Sequence, residues 1–290
     1  MEYTGSVYRP PSEARSLIIQ VTLGCSWNKC TFCRMYREKN FRVTPEAEVF
    51  AFIDEARCQL GPGVRRVFLA DGDALCLKTE KLLRILKKLQ VTFPDLHRVG
   101  IYTYEHNFRG KSDEELRQLV ENKLTLGYLG LESGDEEVLE RINKGCTAVQ
   151  MVEAVRRMQA AGMKTSVMTL LGLGGARLSY RHAKRSAEIL NQMNPRFTSF
   201  LTVTLIDKTE LYDQAGAGEF DQLTPMESLQ ELRWIVEDLE LDGSILRANH
   251  ASNYLPLGGT LPRNKAEILA AIDAALRGDV SLRPEFLRGL

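Results

Sequence analysis

Cys25, Cys30 and Cys33 place three thiols within nine residues, Cys25-Ser26-Trp27-Asn28-Lys29-Cys30-Thr31-Phe32-Cys33. Three thiolates on one tight loop can hold three irons of a [4Fe–4S] cluster and leave the fourth iron open. An open iron is where a small molecule can bind and be reduced. Two other chemistries use clustered thiols. Zinc wants a fourth ligand, and the nearest other Cys or His is Cys58, inside an expected helix. A disulfide needs an oxidising compartment, whereas residues 1–16 are polar, carry Pro10-Pro11 and have no apolar h-region, so no signal peptide is expected. Iron–sulfur is the reading the loop favours.

The loop resembles the cluster loop of radical S-adenosylmethionine (SAM) enzymes, including the aromatic Phe32 just before the third cysteine. Its spacing is C-x4-C-x2-C, one residue longer in the first gap than the family's usual C-x3-C-x2-C. The resemblance runs from about residue 15 to 205. It implies a [4Fe–4S] cluster held by Cys25, Cys30 and Cys33, and SAM on the open iron. It further implies an oxygen-sensitive enzyme that cleaves SAM reductively to a 5′-deoxyadenosyl radical, which takes a hydrogen from substrate. The electron would come from an external flavodoxin- or ferredoxin-like donor.

Four further stretches fit that reading. Asp71-Gly72-Asp73-Ala74 stands where the family has G-G-E-P, the motif that receives the SAM amino group; a carboxylate facing an ammonium, with Gly for close approach, is what that contact needs. Gly130-Leu131-Glu132-Ser133-Gly134 is close to a common family form, with Glu132 set to accept hydrogen bonds from the ribose hydroxyls and Ser133 beside it. Lys144, twelve residues on, matches a basic residue that faces the SAM carboxylate in several members. Gly172-Leu173-Gly174-Gly175 resembles the G-x-I-x-G-x-x-E region where strand backbone meets adenine, with Phe32 and Leu170 as apolar neighbours. Each has a structural alternative: an Asp-Gly turn, a helix-capping Glu, a solvated Lys, a plain glycine turn.

Strands are expected over residues 17–23, 66–70, 98–103, 125–131, 164–171 and 197–205, and helices over 46–60, 80–89, a start at 113, 136–142, 147–161 and 180–193. Thr44-Pro45 should open the first helix, and Ser112-x-x-Glu115 and Thr147-x-x-Gln150 are capping boxes. Six strand–helix units imply parallel strands with right-handed crossovers. They resemble the partial (β/α)6 TIM-type barrel of the radical SAM core, in which the site forms at the C-terminal ends of the strands. Every motif above falls at such an end. The expected division is an extension over 1–14, the core over 15–205 and a C-terminal helical and loop cap over 206–290. In the cap, helices are expected over 225–241 and 264–276, a short strand over 244–248 and a loop over 249–262. Its dense polar stretch supplies substrate candidates Arg247, His250, Asn253 and Arg263, beside Tyr36 and Tyr102 near strand ends.

Thirty-eight Lys+Arg balance 38 Asp+Glu, so no global field favours nucleic acid, and no apolar run approaches the ~18 residues of a membrane span. A small-molecule or peptide substrate and a cytoplasmic setting are expected. The rivals are an RNA-modifying radical SAM enzyme and a non-catalytic iron–sulfur redox protein. Cys58, Cys76 and Cys146 share no metal spacing. Substrate identity, the fate of its radical, whether SAM is cofactor or cosubstrate, and oligomeric state are not specified by the residues.

Overall fold

The computed structural model describes residues 2–288. In chain order the elements are β1 (Leu17–Gln20), β2 (Thr22–Leu23), β3 (Arg42–Val43), α1 (Glu46–Leu60), β4 (Arg66–Ala70), α2 (Thr79–Thr92), β5 (Arg98–Thr103), α3 (Asp113–Glu121), β6 (Leu124–Glu132), α4 (Glu136–Arg141), α5 (Ala148–Ala160), β7 (Lys164–Leu171), α6 (Gly175–Met193), β8 (Phe197–Thr202), α7 (Glu210–Gly216), α8 (Pro225–Asp238), β9 (Ile245–Ala248), β10 (Leu257–Thr260) and α9 (Lys265–Leu276). Eight strands form one sheet in the order β1-β4-β5-β6-β7-β8-β9-β10. It is parallel from β1 through β4 and β5 to β6, and from β7 through β8 to β9; only β10 runs antiparallel, against β9. This mostly parallel α/β sheet is the expected fold class and is consistent with a partial (β/α)6 barrel.

The chain divides into two compact units. One takes the chain up to Asn28, then Met35–Leu129 and Arg156–Thr165; the other takes Lys29–Arg34, Gly130–Val155 and the chain from Ser166 onward. In the first, Val67, Phe68 and Leu69 of β4 are fully buried, as are Ile53 of α1 and Leu82, Ile85, Leu86 and Leu89 of α2. Those α2 positions fall at i, i+3, i+4, i+7, the apolar stripe of a helix laid on a sheet. In the second, α6 packs on α8 and α8 on α9.

Four expectations change. The strand expected over 17–23 breaks at Val21, whose N–H goes to Ala70 and whose carbonyl takes the Thr44 N–H at 3.0 Å, so β2 leaves the main sheet to pair with β3. Thr44 does not cap α1. Its Oγ1 is buried and makes no hydrogen bond among the described residues, and Pro45 stands at the N-cap position without a side-chain hydrogen bond. α6 begins at Gly175, five residues before the expected start. Its first N–H groups are met by carbonyls of Gly172 and Asp221, so the glycine turn feeds straight into helix. The 249–262 stretch contains β10, whose Leu-Gly-Gly-Thr sequence has little strand propensity of its own and forms because β9 offers an edge.

At the N-terminal ends of the first unit's strands, Glu13 is fully buried. Its carboxylate takes Arg98 Nη1 at 2.7 Å and the hydroxyls of Tyr128 and Ser16. Burial first, then the Glu13 charge, pushes the Tyr128 phenol well above the ordinary tyrosine range. Glu13→Ala is expected to lower unfolding free energy by about 3 kcal/mol. This is the low end for breaking a buried pair, because the Arg98 side chain keeps 23% exposure. A urea titration should show a lower midpoint at unchanged slope.

Candidate functional site

In the first unit, β1 and β2 lead into Gly24 and Cys25, and the ends of β4 and β5 supply Asp71–Asp73 and Tyr104–His106. Asp71 is fully buried. Its Oδ2 takes Lys39 Nζ at 2.8 Å, the Gly24 N–H at 3.2 Å and Gln20 Nε2 at 3.4 Å, so this carboxylate ties the start of the cysteine loop to β1 and to Lys39. Gly72 has no room for a side chain: a Cβ would lie 2.5 Å from the Tyr36 ring and 2.9 Å from Cys25 Cβ. Asp73, also fully buried, turns Oδ2 to the Ser26 hydroxyl and to His106 Nε2 at 3.0 Å. Its Oδ1 is buried and, among the described residues, accepts no hydrogen bond.

Tyr36 is buried, edge-on to Tyr8 with 5.6 Å between centroids, and its carbonyl takes Asn28 Nδ2 at 2.9 Å, which closes the loop on itself. Tyr102 stands edge-on to Phe68 at 4.9 Å and to Tyr128 at 6.2 Å. The Cys76 thiol is pushed up to about 12 by burial and then by Asp73. A thiol so far above neutrality stays protonated and is a poor nucleophile.

In the second unit, Cys30 and Cys33 share a turn, with the Cys33 N–H on the Cys30 carbonyl at 3.1 Å. Thr31 between them is held from both sides, its N–H on Ile142 O at 2.9 Å and its carbonyl taking the Leu211 N–H at 3.1 Å; Phe32 is half-buried. Glu132 ends β6 in the left-handed region at φ 63°. That conformation is strained for a residue with a Cβ and recurs where a site demands it. Its Oε1 takes Lys144 Nζ at 3.1 Å, while Oε2 is buried and accepts nothing among the described residues. Gly130 leaves room beneath this pair: a Cβ there would overlap Glu132 Oε1 and lie 3.2 Å from Lys144 Nζ, so both side-chain ends would have to shift. Burial works against the Lys144 charge, but Glu132, then Cys30 and Cys146, hold the ammonium above the ordinary lysine range.

Ser133 turns away from that carboxylate, pairing with His182 Nδ1 at 2.8 Å and taking the Asp135 N–H at 3.0 Å. Leu170 is buried in β7, and Gly172, at φ 82°, donates its N–H to Glu231 Oε1 at 2.6 Å. Each substrate candidate of the tail has its own surroundings. Arg247 lies over Phe197, the first residue of β8, at 4.4 Å. His250 Nδ1 takes the Ser252 N–H at 3.1 Å, and burial lowers its readiness to protonate. Asn253 bonds Phe200 O at 2.7 Å and Thr202 Oγ1 at 2.9 Å, which sews the tail to β8. Arg263 is exposed.

Among the described residues no three His, Cys, Asp or Glu side chains converge as a single ion would require. A cube gripped at three separate irons spaces its thiolates more widely than one ion does. Sequence reasoning missed Ser26, a spacer position of the cysteine loop, and His106, His182 and Glu231, which lie in no motif. The one available signal was that His182 falls on the apolar stripe of α6.

The family model described as the radical SAM superfamily matches residues 19–185, more than half of the chain. The crystal structure of methylornithine synthase (PylB) is similar over 93% of this chain and 74% of that one, with TM-score 0.57 and 16% identity. Coproporphyrinogen III oxidase (HemN) from Escherichia coli, a radical SAM enzyme, is similar over 77% and 51%, with TM-score 0.56 and 16% identity. The heme chaperone HemW of Lactococcus lactis subsp. lactis (strain IL1403) is 22% identical over 142 residues, 49% of this chain; the match spans 37% of that relative's length.

Proposed function

We propose that this chain, which belongs to the radical SAM superfamily, is an enzyme in which Cys25, Cys30 and Cys33 hold a [4Fe–4S] cluster and the strand ends hold SAM. What carries the reading is found in each unit by itself: Asp73 Oδ1 in the first and Glu132 Oε2 in the second are buried carboxylate oxygens that no donor among the described residues satisfies, as is Asp71 Oδ1. A buried carboxylate oxygen left without a donor is costly, and SAM offers the donors the first two lack: an ammonium and ribose hydroxyls. The residues therefore fit the group.

When bound and reduced, the cluster supplies the electron that splits SAM to methionine and a 5′-deoxyadenosyl radical. The chain's own residues bind and orient. Asp73, its other oxygen fixed by Ser26 and His106, presents Oδ1 to the ammonium. Glu132 presents Oε2 to the ribose. Lys144, already paired with Glu132, faces the methionyl carboxylate with its remaining N–H groups. Leu170, Phe32 and the Gly172 turn take the adenine. Substrate is a small molecule or peptide, and the electron comes from an external one-electron donor. Among the described residues no helix is long and apolar enough to cross a membrane.

The test is anaerobic reconstitution with iron and sulfide, then SAM and dithionite. The wild-type chain is expected to show a broad absorption near 400 nm and to form 5′-deoxyadenosine. Cys25→Ala, Cys30→Ala and Cys33→Ala should form none. A reduced cluster without 5′-deoxyadenosine would instead mark a redox protein that does no chemistry on SAM.

A further inference from the structure

Outside the family-matched segment, α8 carries a buried acid that reaches back to the strand ends. Thr224 and Glu227 cap the helix start reciprocally, and one turn later Glu231 is fully buried. Its Oε1 accepts the Gly172 N–H at 2.6 Å and its Oε2 the Ser179 hydroxyl. His182, also fully buried, holds Nε2 3.6 Å from Glu231 Oε1, while its Nδ1 pairs with Ser133 Oγ at 2.8 Å. At 3.6 Å the two lie beyond hydrogen-bond reach, and His182 Nε2 has no hydrogen-bond partner among the described residues, so Glu231 holds the turn that ends β7 and His182 beside it holds the one that ends β6. The G-x-I-x-G-x-x-E pattern, laid on Leu170 and Gly172, puts its glutamate at Gly175. That position has no side chain and a φ of 60°, so the acid that reaches this turn comes from another helix.

The physics favours a dedicated role over incidental packing. Burying a carboxylate is unfavourable unless donors surround it, and burial does push Glu231 above the ordinary carboxylate range against the pull of His182, Ser179 and Gly172. An apolar side chain would fill the same space without that penalty. What it would not do is hold the Gly172 N–H and thereby fix the turn.

We propose that Glu231 is a positioning residue for the adenosyl half of SAM. It fixes the Gly172 turn directly, next to the His182 that holds the Ser133 turn following the ribose-facing Glu132. This rests on the SAM reading above, and it adds a residue that the family-matched segment does not contain.

The test uses anaerobically reconstituted holoenzyme, without reductant, and measures equilibrium binding of S-adenosylhomocysteine and of 5′-deoxyadenosine. Glu231→Ala is expected to weaken both by about tenfold, near the lower end for losing a hydrogen bond to a charged acceptor, with iron content near wild type and a lower melting temperature, because the Gly172 N–H and the Ser179 hydroxyl lose a buried acceptor. Glu231→Gln keeps an oxygen for the Gly172 N–H and can donate to Ser179 Oγ, so it should restore binding. Equal binding by wild type and Glu231→Ala overturns the proposal, as does a Glu231→Gln variant as impaired as Glu231→Ala. If Glu231→Ala does not fold, Ser179→Ala releases one carboxylate oxygen alone; weakened binding supports the proposal and unchanged binding overturns it. A wild-type holoenzyme that binds neither ligand sinks the SAM reading itself, which is a different failure.

Discussion

Lys144→Met is expected to lower unfolding free energy by about 3–5 kcal/mol and to abolish measurable SAM binding. The magnitude is that of removing one member of a buried ion pair, because the remaining charge stays buried and uncompensated. Here that charge is Glu132, 6% exposed, with one oxygen already lacking a donor and the other losing Lys144. Coulomb attraction over 3.1 Å is what holds the Lys144 charge against desolvation. The double variant Glu132→Gln/Lys144→Met removes both charges. Replacing a buried pair by neutral groups is far gentler than halving it, so stability should largely return while SAM binding does not. Recovery of both would mean the pair serves the fold alone. The raised Lys144 pKa also sets a pH window. A group whose folded value lies above its unfolded value contributes stability fully below the unfolded value, about 10.4 for lysine, and loses it only as pH climbs through the folded one. Urea midpoints at pH 7 and pH 9 should therefore show no loss from this pair; a fall between them would mean Lys144 is not held charged.

That pairing shows where sequence reading stops. Glu132 and Lys144 were both legible as single candidates, one at a strand end and one past a short helix. Their contact was not, because it depends on α4 folding the chain back over twelve residues and on Gly130 vacating the space between. β4, β5 and β7 were legible to their first and last residues because short β-branched runs closed by charge or glycine have few other uses. The tail is harder to read for the opposite reason. Arg247, His250 and Asn253 form a dense polar stretch, and a polar loop reads the same whether its groups await a ligand or satisfy backbone. Here His250 and Asn253 bond Ser252, Phe200 and Thr202 and so close the chain onto β8. Glu231 had no signal at all, being one of four acids in an amphipathic helix, with a partner that lies 59 residues earlier.

Gly72→Ala is the substitution expected to strike the cysteine loop hardest without touching a cysteine. Its new Cβ would fall 2.9 Å from Cys25 Cβ and 2.5 Å from the Tyr36 ring. Neither neighbour can yield cheaply. The Cys25 Cβ is one bond from backbone whose preceding N–H, on Gly24, is held by the buried Asp71. Tyr36 is 5% exposed, and its own carbonyl anchors Asn28. Overpacking of this kind costs about 1–3 kcal/mol, and because the strain falls on Cys25 it should appear as weakened cluster retention, by roughly 5–150-fold for that energy. Gly110→Ala is the control: nothing lies within 4 Å of its added Cβ and the residue is exposed. Iron per chain after anaerobic desalting should match wild type for Gly110→Ala and collapse for Gly72→Ala. If Gly72→Ala retained its iron while melting at a lower temperature, the strain would have been absorbed by Tyr36 instead, and Asp71-Gly72-Asp73 would be a brace for the strand rather than a wall of the cofactor site.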